Sequence, residues 1–359
     1  MVEPVSEEYV CPPCGCGNDD KVYDEPGYCP LCAMQLVLKG SAAAQPVMQG
    51  PLTNRKSAAI LIFNGVQIID YTGPYEVLGQ AGMDVFTVGI KSEMVTTAIG
   101  MKVTPHYAME NAPAVDVLLI PGGDGVTSAQ EDPNVIKWVQ ERSEQAEYVV
   151  SVCNGAFILA KTGLLDGRTA TTYYDLLDDL SASAPKVEVV RDQRYVDNGK
   201  FITTAGLSSG IDGSLYVVSK LFGKGRAQMV ALNMEYDWQP DSTYARANLA
   251  DRHIRKVFGR NLLLNVPPVQ AKVLNTDGST RNWEVKWEAQ GEISAAELLK
   301  LIGDQLGAGE WVKQNSANTN DWKFTDEEGA NWRGAVEVRP AGGKVFNISL
   351  KVEHTSHSA

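Results

Sequence analysis

The chain has 359 residues, enough for two or three domains, and its hydrophobic content of 44% is typical of proteins with a packed core. Its net charge of −12 at pH 7 argues against a nucleic-acid partner, because an acidic surface repels phosphates. No apolar run reaches about 18 residues, so we expect no membrane span. The acidic N-terminus lacks the features of a signal peptide. This predicts a cytoplasmic protein, or an exported one if the chain is a trimmed mature form.

Five of the six cysteines lie in the first 32 residues, and four of them form two Cys-Pro-x-Cys knuckles. These four are Cys11, Cys14, Cys29 and Cys32. Two such turns aim four thiolates at one point, which favours a tetrahedral zinc site over disulfides or redox-active dithiols. The fifth thiol, Cys16, is either spare or replaces Cys14. We predict a metal-stabilised zinc knuckle over residues 1–40 and a polar linker over 41–56.

Residues 57–261 alternate short apolar runs with amphipathic stretches. The apolar runs AAILIFNGV, MDVFTVGI, VDVLLIPGG and EYVVSVC are rich in Val and Ile. Between them lie helical patterns such as TGPYEVLGQAG and DPNVIKWVQERSEQ. Buried strands separated by helices predict an α/β domain whose sheet is mostly parallel and covered on both faces.

Residues 262–359 have a different pattern and predict a small α+β domain. EVKWEAQG is typical of a strand, and Ser294 and Glu297 can form a capping box at the start of a helix. AVEVRP and KVFNISLKVE flank a Gly-Gly turn, which predicts an antiparallel hairpin. Five of the seven tryptophans lie here and are either core residues or the walls of a ligand groove: Trp283, Trp287, Trp311, Trp322 and Trp332.

Cys153 stands apart, because it ends the strand-like run EYVVSVC just before a helical pattern opened by Asn154 and Gly155. A thiol at such a corner lies at the carboxyl edge of the sheet, where α/β proteins bind ligands. The helix N-terminus is expected to lower its pKa, and nearby N–H groups can hold an oxyanion. The alternative is a buried cysteine that acts as a small hydrophobe.

Two further segments end at the same predicted edge. Gly122 and Gly123 follow the strand VDVLLI and place backbone N–H groups there. Asp70 follows the first strand of the domain, just before a helix. Asp70 is therefore either part of the site or only an N-cap.

Together, LLIPGG, IIDYTGPYEVL, SVCNGAFILAKTGLLDGRTATTYY and TTAGLSSGIDGSLYVV resemble the ThiJ/PfpI superfamily over about residues 57–245. The nearest branch is isonitrile hydratase, together with sensor domains of AraC-type regulators. The resemblance implies a flavodoxin-like sandwich that forms a homodimer. It also implies Cys153 as nucleophile, Asp70 as its acidic partner, and the N–H groups of Gly123 and Asn154 as the oxyanion site.

The chain departs from this pattern at two positions beside the predicted site. Asn154 stands where isonitrile hydratases typically have Thr, with its side chain expected to point at the reacting centre. Tyr173 stands where many relatives have His, so a Cys–His dyad lacks a base. The four histidines are His106, in a variable polar position, His253, on a helix face expected to be exposed, and His354 and His357, in a tail expected to be solvated.

The N-terminal segment resembles the heavy-metal-binding domain of metal-efflux components, with Cys14 in place of a His and Ala33 in place of a Gly. A thiol and an acid without His suit addition to a polarised carbon better than amide hydrolysis. We therefore predict an isonitrile-hydratase-like enzyme that acts on a small molecule and needs no cofactor for catalysis. The alternatives are a small-molecule or metal-responsive sensor or scaffold, and redox sensing at Cys153.

Overall fold

The chain divides at Tyr244 into two units, Met1–Tyr244 and Ala245–Ala359. The computed structural model describes residues 7–11, 18, 21–30, 36–40, 55–242, 244–314 and 320–355. The second unit begins before the predicted boundary at 262, because Ile254 and Phe258 are buried in the C-terminal core. Within the described ranges, no helix is long and apolar enough to cross a membrane.

The N-terminal segment forms a small antiparallel sheet. Its strands are β1 (Tyr9–Val10), β2 (Val22–Tyr23) and β3 (Val37–Leu38), with β1 in the centre. Cys11, Cys29 and Leu36 form its buried cluster, and Val10 is buried as well. The predicted ligands Cys14 and Cys32, the fifth thiol Cys16 and most of the predicted linker lie outside the described residues.

The remainder of the first unit is built on a seven-stranded sheet. The strands of this region are β4 (Ser57–Ile62), β5 (Asp84–Gly89), β6 (Val95–Thr96), β7 (Lys102–Val103), β8 (Tyr107–Ala108), β9 (Val117–Ile120), β10 (Tyr148–Val152), β11 (Thr169–Ala170), β12 (Glu188–Val189), β13 (Tyr195–Asn198) and β14 (Phe201–Thr204). The large sheet has the order β13-β14-β10-β9-β4-β5-β8, while β6 pairs with β7 and β11 with β12. Every pair in the large sheet is parallel except the β13–β14 hairpin.

The central strands β4, β9 and β10 are almost wholly apolar and buried on both faces. Parallel strands need such sequences because helices cover both faces of the sheet. The predicted flavodoxin-like architecture with a mostly parallel sheet is confirmed.

Seven helices accompany these strands in the described part of the unit. They are α1 (Ile68–Gln80), α2 (Val126–Ala129), α3 (Pro133–Gln145), α4 (Gly155–Lys161), α5 (Leu177–Ser183), α6 (Ser209–Phe222) and α7 (Lys224–Asn233). Helix α1 follows β4, α4 follows β10 and α6 follows β14, while a glycine-rich loop follows β9. Because β4, β9, β10 and β14 are parallel, these four connections meet at one edge of the sheet.

The second unit places two helices, α8 (Asp251–Phe258) and α9 (Ala295–Ala308), on an antiparallel sheet. Its strands are β15 (Gln270–Gly278), β16 (Asn282–Gln290), β17 (Val312–Lys313), β18 (Asp321–Thr325), β19 (Asn331–Gly342) and β20 (Val345–His354), in the order β15-β16-β20-β19-β18-β17. The predicted capping box of Ser294 and Glu297 opens α9. The predicted hairpin is β19–β20.

The tryptophans of this unit are mainly core residues. Trp287, Trp311, Trp322 and Trp332 are buried, and Trp283 packs against the same cluster. This confirms the interpretation of these side chains as core.

The expectation of an exposed His253 is wrong, because only 3% of this residue is exposed. Its ring packs on Phe324 and Trp332, with ring centroids 5.0 and 4.3 Å away. Burial lowers the pKa of His253 to about 4, and the charge of Arg252 acts in the same direction. His354 is not in a solvated tail either, since it ends β20 and packs edge-on against Trp332. His357 lies outside the described residues.

We predict that the second unit loses stability in mild acid. The unfolded His253 takes up a proton near pH 6.5 but the folded one only near pH 4, so this stability is full above pH 6.5 and falls as the pH drops towards 4. The loss between pH 7 and pH 5 is roughly 2 kcal/mol. Urea unfolding followed by tryptophan fluorescence measures it in the full chain. His253→Phe keeps the ring contacts and is expected to lack this part of the pH dependence; equal pH dependence in both proteins contradicts the prediction.

Candidate active site

Cys153 lies in the sharp turn between β10 and α4 and is 8% exposed. Its φ of 57° is in the left-handed region, which costs a non-glycine residue roughly 1–2 kcal/mol. The Cys153 N–H points at the carbonyl oxygens of Thr204 and Ala205, at 3.2 and 3.3 Å. These bonds fix the strained turn to the end of β14, and Thr172 Oγ1 donates to the Cys153 carbonyl at 2.8 Å.

Asp70 lies in the first turn of α1 and is fully buried. It is not an N-cap, because Gln67 holds that position without a side-chain bond. Its Oδ2 accepts from the N–H of Gly122 at 3.2 Å and its Oδ1 from the N–H of Leu207 at 3.1 Å. Its carboxyl group faces the Cys153 thiol closely enough for each group to shift the pKa of the other. The fold therefore brings together the predicted acid and thiol.

Burial dominates the electrostatics of this pair. It raises the pKa of Asp70 to about 6, against the lowering effect of the Leu207 and Gly122 N–H groups and of the thiol. Burial also raises the pKa of the Cys153 thiol, as does the neighbouring Asp70 charge. The Asn154 N–H at the helix N-terminus lowers the pKa of the thiol, as expected, but burial and the Asp70 charge outweigh it and the net shift is upward. Near neutral pH the pair holds one proton between two atoms and titrates as a unit.

Asn154 is bound to the glycine loop that follows β9. Its Oδ1 accepts from the Gly123 N–H at 2.7 Å, and its Nδ2 donates to the Gly123 carbonyl at 3.0 Å. Its own N–H faces the Cys153 sulfur and lowers the pKa of the thiol. The side chain thus clamps the loop instead of pointing at the reacting centre, and the Gly123 N–H of the expected oxyanion site is already engaged.

Gly122 must be glycine for this loop to lie against the turn. A Cβ there would be 2.3 Å from Asn154 Oδ1 and 2.7 Å from the Cys153 Cβ. The Gly122 N–H donates to Asp70, so this loop contacts the acid as well as the turn that holds the thiol.

Tyr173 and Gly206 lie beside the thiol. A Cβ on Gly206 would be 2.4 Å from Tyr173 Cδ2 and 3.3 Å from Cys153 Sγ. The tyrosine ring therefore packs on the backbone of the β14–α6 turn. Sequence reasoning missed Gly206, Leu207 and Thr172; the run of small residues in TTAGLSSG was the available signal for the turn.

None of the histidines in the described ranges hydrogen-bonds to Cys153. His106 is exposed, and its Nδ1 lies 3.1 Å from the Thr87 N–H and 2.9 Å from the Thr87 hydroxyl. His253 and His354 belong to the second unit. The ionisable partner of the thiol among these residues is Asp70.

Cys11 and Cys29 form the other thiol cluster, in the N-terminal sheet. Each is 1% exposed, and both share one small core with Leu36, Tyr9 and Tyr23. Two thiols buried together in so small a core suit a soft, thiolate-binding metal. The described residues contain only part of the predicted ligand set, and no group of three or more His, Cys, Asp or Glu side chains with metal-binding geometry occurs among them.

Comparison with known proteins finds a family for the region that contains Cys153 and another for the N-terminal segment. The DJ-1/PfpI family matches residues 56–220, and a heavy metal binding domain matches residues 8–39. Isonitrile hydratase from Pseudomonas putida is 39% identical over 180 residues, 49% of this chain and 76% of that protein. The chain belongs to the DJ-1/PfpI family. The predicted resemblances are confirmed.

Two further relatives show that proteins with this fold differ in function. A ThiJ/PfpI family protein from Pseudomonas syringae has a TM-score of 0.52 and 28% identity, covering 61% of this chain and 93% of that one. The HTH-type transcriptional regulator GbdR from Pseudomonas aeruginosa is 25% identical over 178 residues, 48% of each chain. The DJ-1/PfpI core therefore occurs in an enzyme and in a regulator, and the choice between these functions depends on the site.

We predict that Gly206→Ala destabilises the protein and slows alkylation of Cys153. The added methyl group meets the Tyr173 ring and narrows the approach to the thiol, and overpacking of this kind costs about 1–3 kcal/mol. Urea unfolding and mass spectrometry of the iodoacetamide-treated Cys153 peptide measure the two effects. The matched control is Gly79→Ala, where no heavy atom lies within 4 Å of the new Cβ. If Gly206→Ala behaves as wild type in both measurements, Tyr173 does not pack on the turn.

Proposed function

We propose that the chain is a cysteine-dependent hydratase that converts small isonitriles to N-substituted formamides. The observation that carries the proposal is the fully buried Asp70 carboxyl group, held by the Gly122 and Leu207 N–H groups beside the buried Cys153 thiol. The similarity to an isonitrile hydratase supports the same reaction class.

In the first step Asp70 takes the thiol proton, and the Cys153 sulfur attacks the terminal isonitrile carbon. Asp70 then returns this proton to the same carbon, which gives a thioimidate, R–N=CH–S–Cys153. Water adds to the carbon, the sulfur leaves, and R–NH–CHO is released with the thiol regenerated. Asp70 acts first as base and then as acid, which suits a carboxyl group whose pKa is raised to about 6.

The engaged N–H groups around the thiol favour this addition over amide hydrolysis. Amide hydrolysis develops an oxyanion that needs two or more free donors. Here the Gly122 N–H is bound to Asp70 and the Gly123 N–H to Asn154. Addition of a thiol to an isonitrile carbon forms no oxyanion, so the engaged donors are no obstacle.

The second candidate is a non-catalytic sensor of small molecules, redox state or metal. It is favoured by the burial of Cys153 and the raised pKa of its thiol, since a protonated thiol is a weak nucleophile. The similarity to a transcriptional regulator fits this candidate.

We also propose that Cys11, Cys14, Cys29 and Cys32 hold a structural zinc ion. Zinc bound to four thiolates cross-links a segment too small to form a sufficient core. We propose that the chain forms a homodimer, as the family resemblance implies.

Hydration of a small alkyl isonitrile tests the main proposal. We expect wild type to produce formamide, with kcat/KM falling below about pH 6 as Asp70 becomes protonated in the free enzyme. Cys153→Ala is expected to lose activity by about a thousandfold or more. Asp70→Asn is expected to lose about 10²–10⁴-fold.

The matched control for the acid is Asp166→Asn, which removes an exposed carboxylate paired with Lys186 and is expected to keep full activity. Formamide production that survives in Cys153→Ala contradicts the mechanism. A folded wild type without turnover on any small isonitrile supports the sensor candidate.

Metal analysis tests the N-terminal site. We expect about one zinc ion per chain, because four thiolates complete one tetrahedral shell. Cys29→Ser is expected to lose most of it, while Cys153→Ser retains it. Unchanged zinc content in Cys29→Ser contradicts the proposed site.

A further inference from the structure

The turn between β14 and α6, residues 205–208, carries the N–H that Leu207 donates to Asp70. Leu207 has a φ of 57°, in the left-handed region that residues with side chains rarely adopt. Leu207 is 40% exposed, and Ser208 is exposed as well. Side-chain burial therefore gives this turn limited support, and hydrogen bonds to it contribute the rest.

Arg194, just before β13, bonds to both ends of this turn. Its carbonyl accepts from the Ala205 N–H at 2.8 Å, and its Nη2 donates to the Ser208 hydroxyl at 3.1 Å. Its Nε donates to Asp212 Oδ2, in the first turn of α6, at 2.6 Å. One side chain thus ties the start of α6 to the end of the turn, while its own backbone holds the beginning.

The Arg194–Asp212 pair is itself anchored. Asp212 is buried, and its Oδ1 accepts from the Tyr236 hydroxyl at 3.0 Å. Burial and the Asp212 charge raise the pKa of Tyr236 to about 12, so this hydroxyl remains a donor at neutral pH. The Arg194 guanidinium also lies 5.7 Å from the centre of the Tyr244 ring. The Arg194 guanidinium thus contacts three side chains, those of Ser208, Asp212 and Tyr244, and supports the exposed turn.

We propose that Arg194 is a positioning residue for the Asp70–Cys153 pair: it holds the 205–208 turn in the conformation that directs the Leu207 N–H at Asp70. The inference rests on the proposed function only in taking Asp70 to act with Cys153. Without Arg194, Leu207 is released from its unfavourable conformation and its N–H turns away. Asp70 then keeps one backbone donor, the Gly122 N–H.

Loss of the hydrogen bond from the Leu207 N–H changes the pKa of Asp70, which can be measured. The Leu207 N–H lowers the pKa of Asp70, so its removal raises that pKa. The ionisable group that faces Asp70 within the described part of the chain is Cys153, and the other polar neighbours of Asp70 are the N–H groups of Gly122 and Leu207. Arg194 acts on the pair through the turn.

The test is the pH profile of iodoacetamide alkylation, measured on the Cys153 peptide of the full-length protein. In wild type the first rise, near pH 6, marks loss of the first proton from the pair. We expect Arg194→Gln to move this rise upward by about one pH unit, because a hydrogen bond to a charged group is lost. Arg194→Lys keeps a cation beside Asp212 and is expected to recover part of the shift.

Arg191→Gln is the matched control, since Arg191 forms an exposed ion pair with Asp178 and is expected to leave the profile unchanged. A folded Arg194→Gln with the wild-type profile overturns the proposal. If Arg194→Gln does not fold, Ser208→Ala decides: a smaller upward shift supports the proposal and an unchanged profile overturns it. Alkylation needs no isonitrile, so a shifted profile in a protein without isonitrile turnover refutes only the hydratase function.

Discussion

The burial of Asp70 beside Cys153 is the constraint on which the site depends. Two ionisable groups buried side by side cannot both carry a charge without large desolvation and repulsion costs. One proton between them limits the pair to one negative charge. Backbone N–H groups from two different connections then hold the carboxylate in place. The positions of the glycine loop after β9 and of the turn before α6 follow from this requirement.

Local patterns were sufficient to predict the sheet and the position of the thiol. Strands buried on both faces are recognisable from a few consecutive apolar residues, and Cys153 directly follows one of them, β10. The sign of its pKa shift was not predictable in this way. It depends on how closely Asp70 approaches and how little water remains, and both are set by segments far away in the sequence. For the same reason, Asn154 could be placed beside the thiol but its bond to Gly123 could not be foreseen.

Helix α8 of the second unit is another case in which the local sequence did not predict the environment of a side chain. The sequence DRHIRK is basic, and three cations within six residues suggest a solvated face. In the structure Arg252 pairs with Asp326 and Arg255 with Asp251, so these charges are neutralised locally while His253 enters the core. Both acids were visible in the sequence, but Asp326 is paired only through the tertiary fold. This helix is also the reason that the observed boundary between the units differs from the predicted one at 262. A short amphipathic segment can belong to either neighbouring core, and its sequence does not show which.

The hydrogen bond between Leu207 and Asp70 joins residues 137 positions apart, and the bond from Gly122 spans 52. Such contacts form only after the intervening strands have paired, and closure of loops this long is slow. A chain emerging from the ribosome therefore carries Cys153 as an ordinary, accessible thiol until β14 has been synthesised and docked. The buried environment of the thiol is therefore acquired late in folding, and it belongs to the complete sheet and not to any single strand-turn-helix segment.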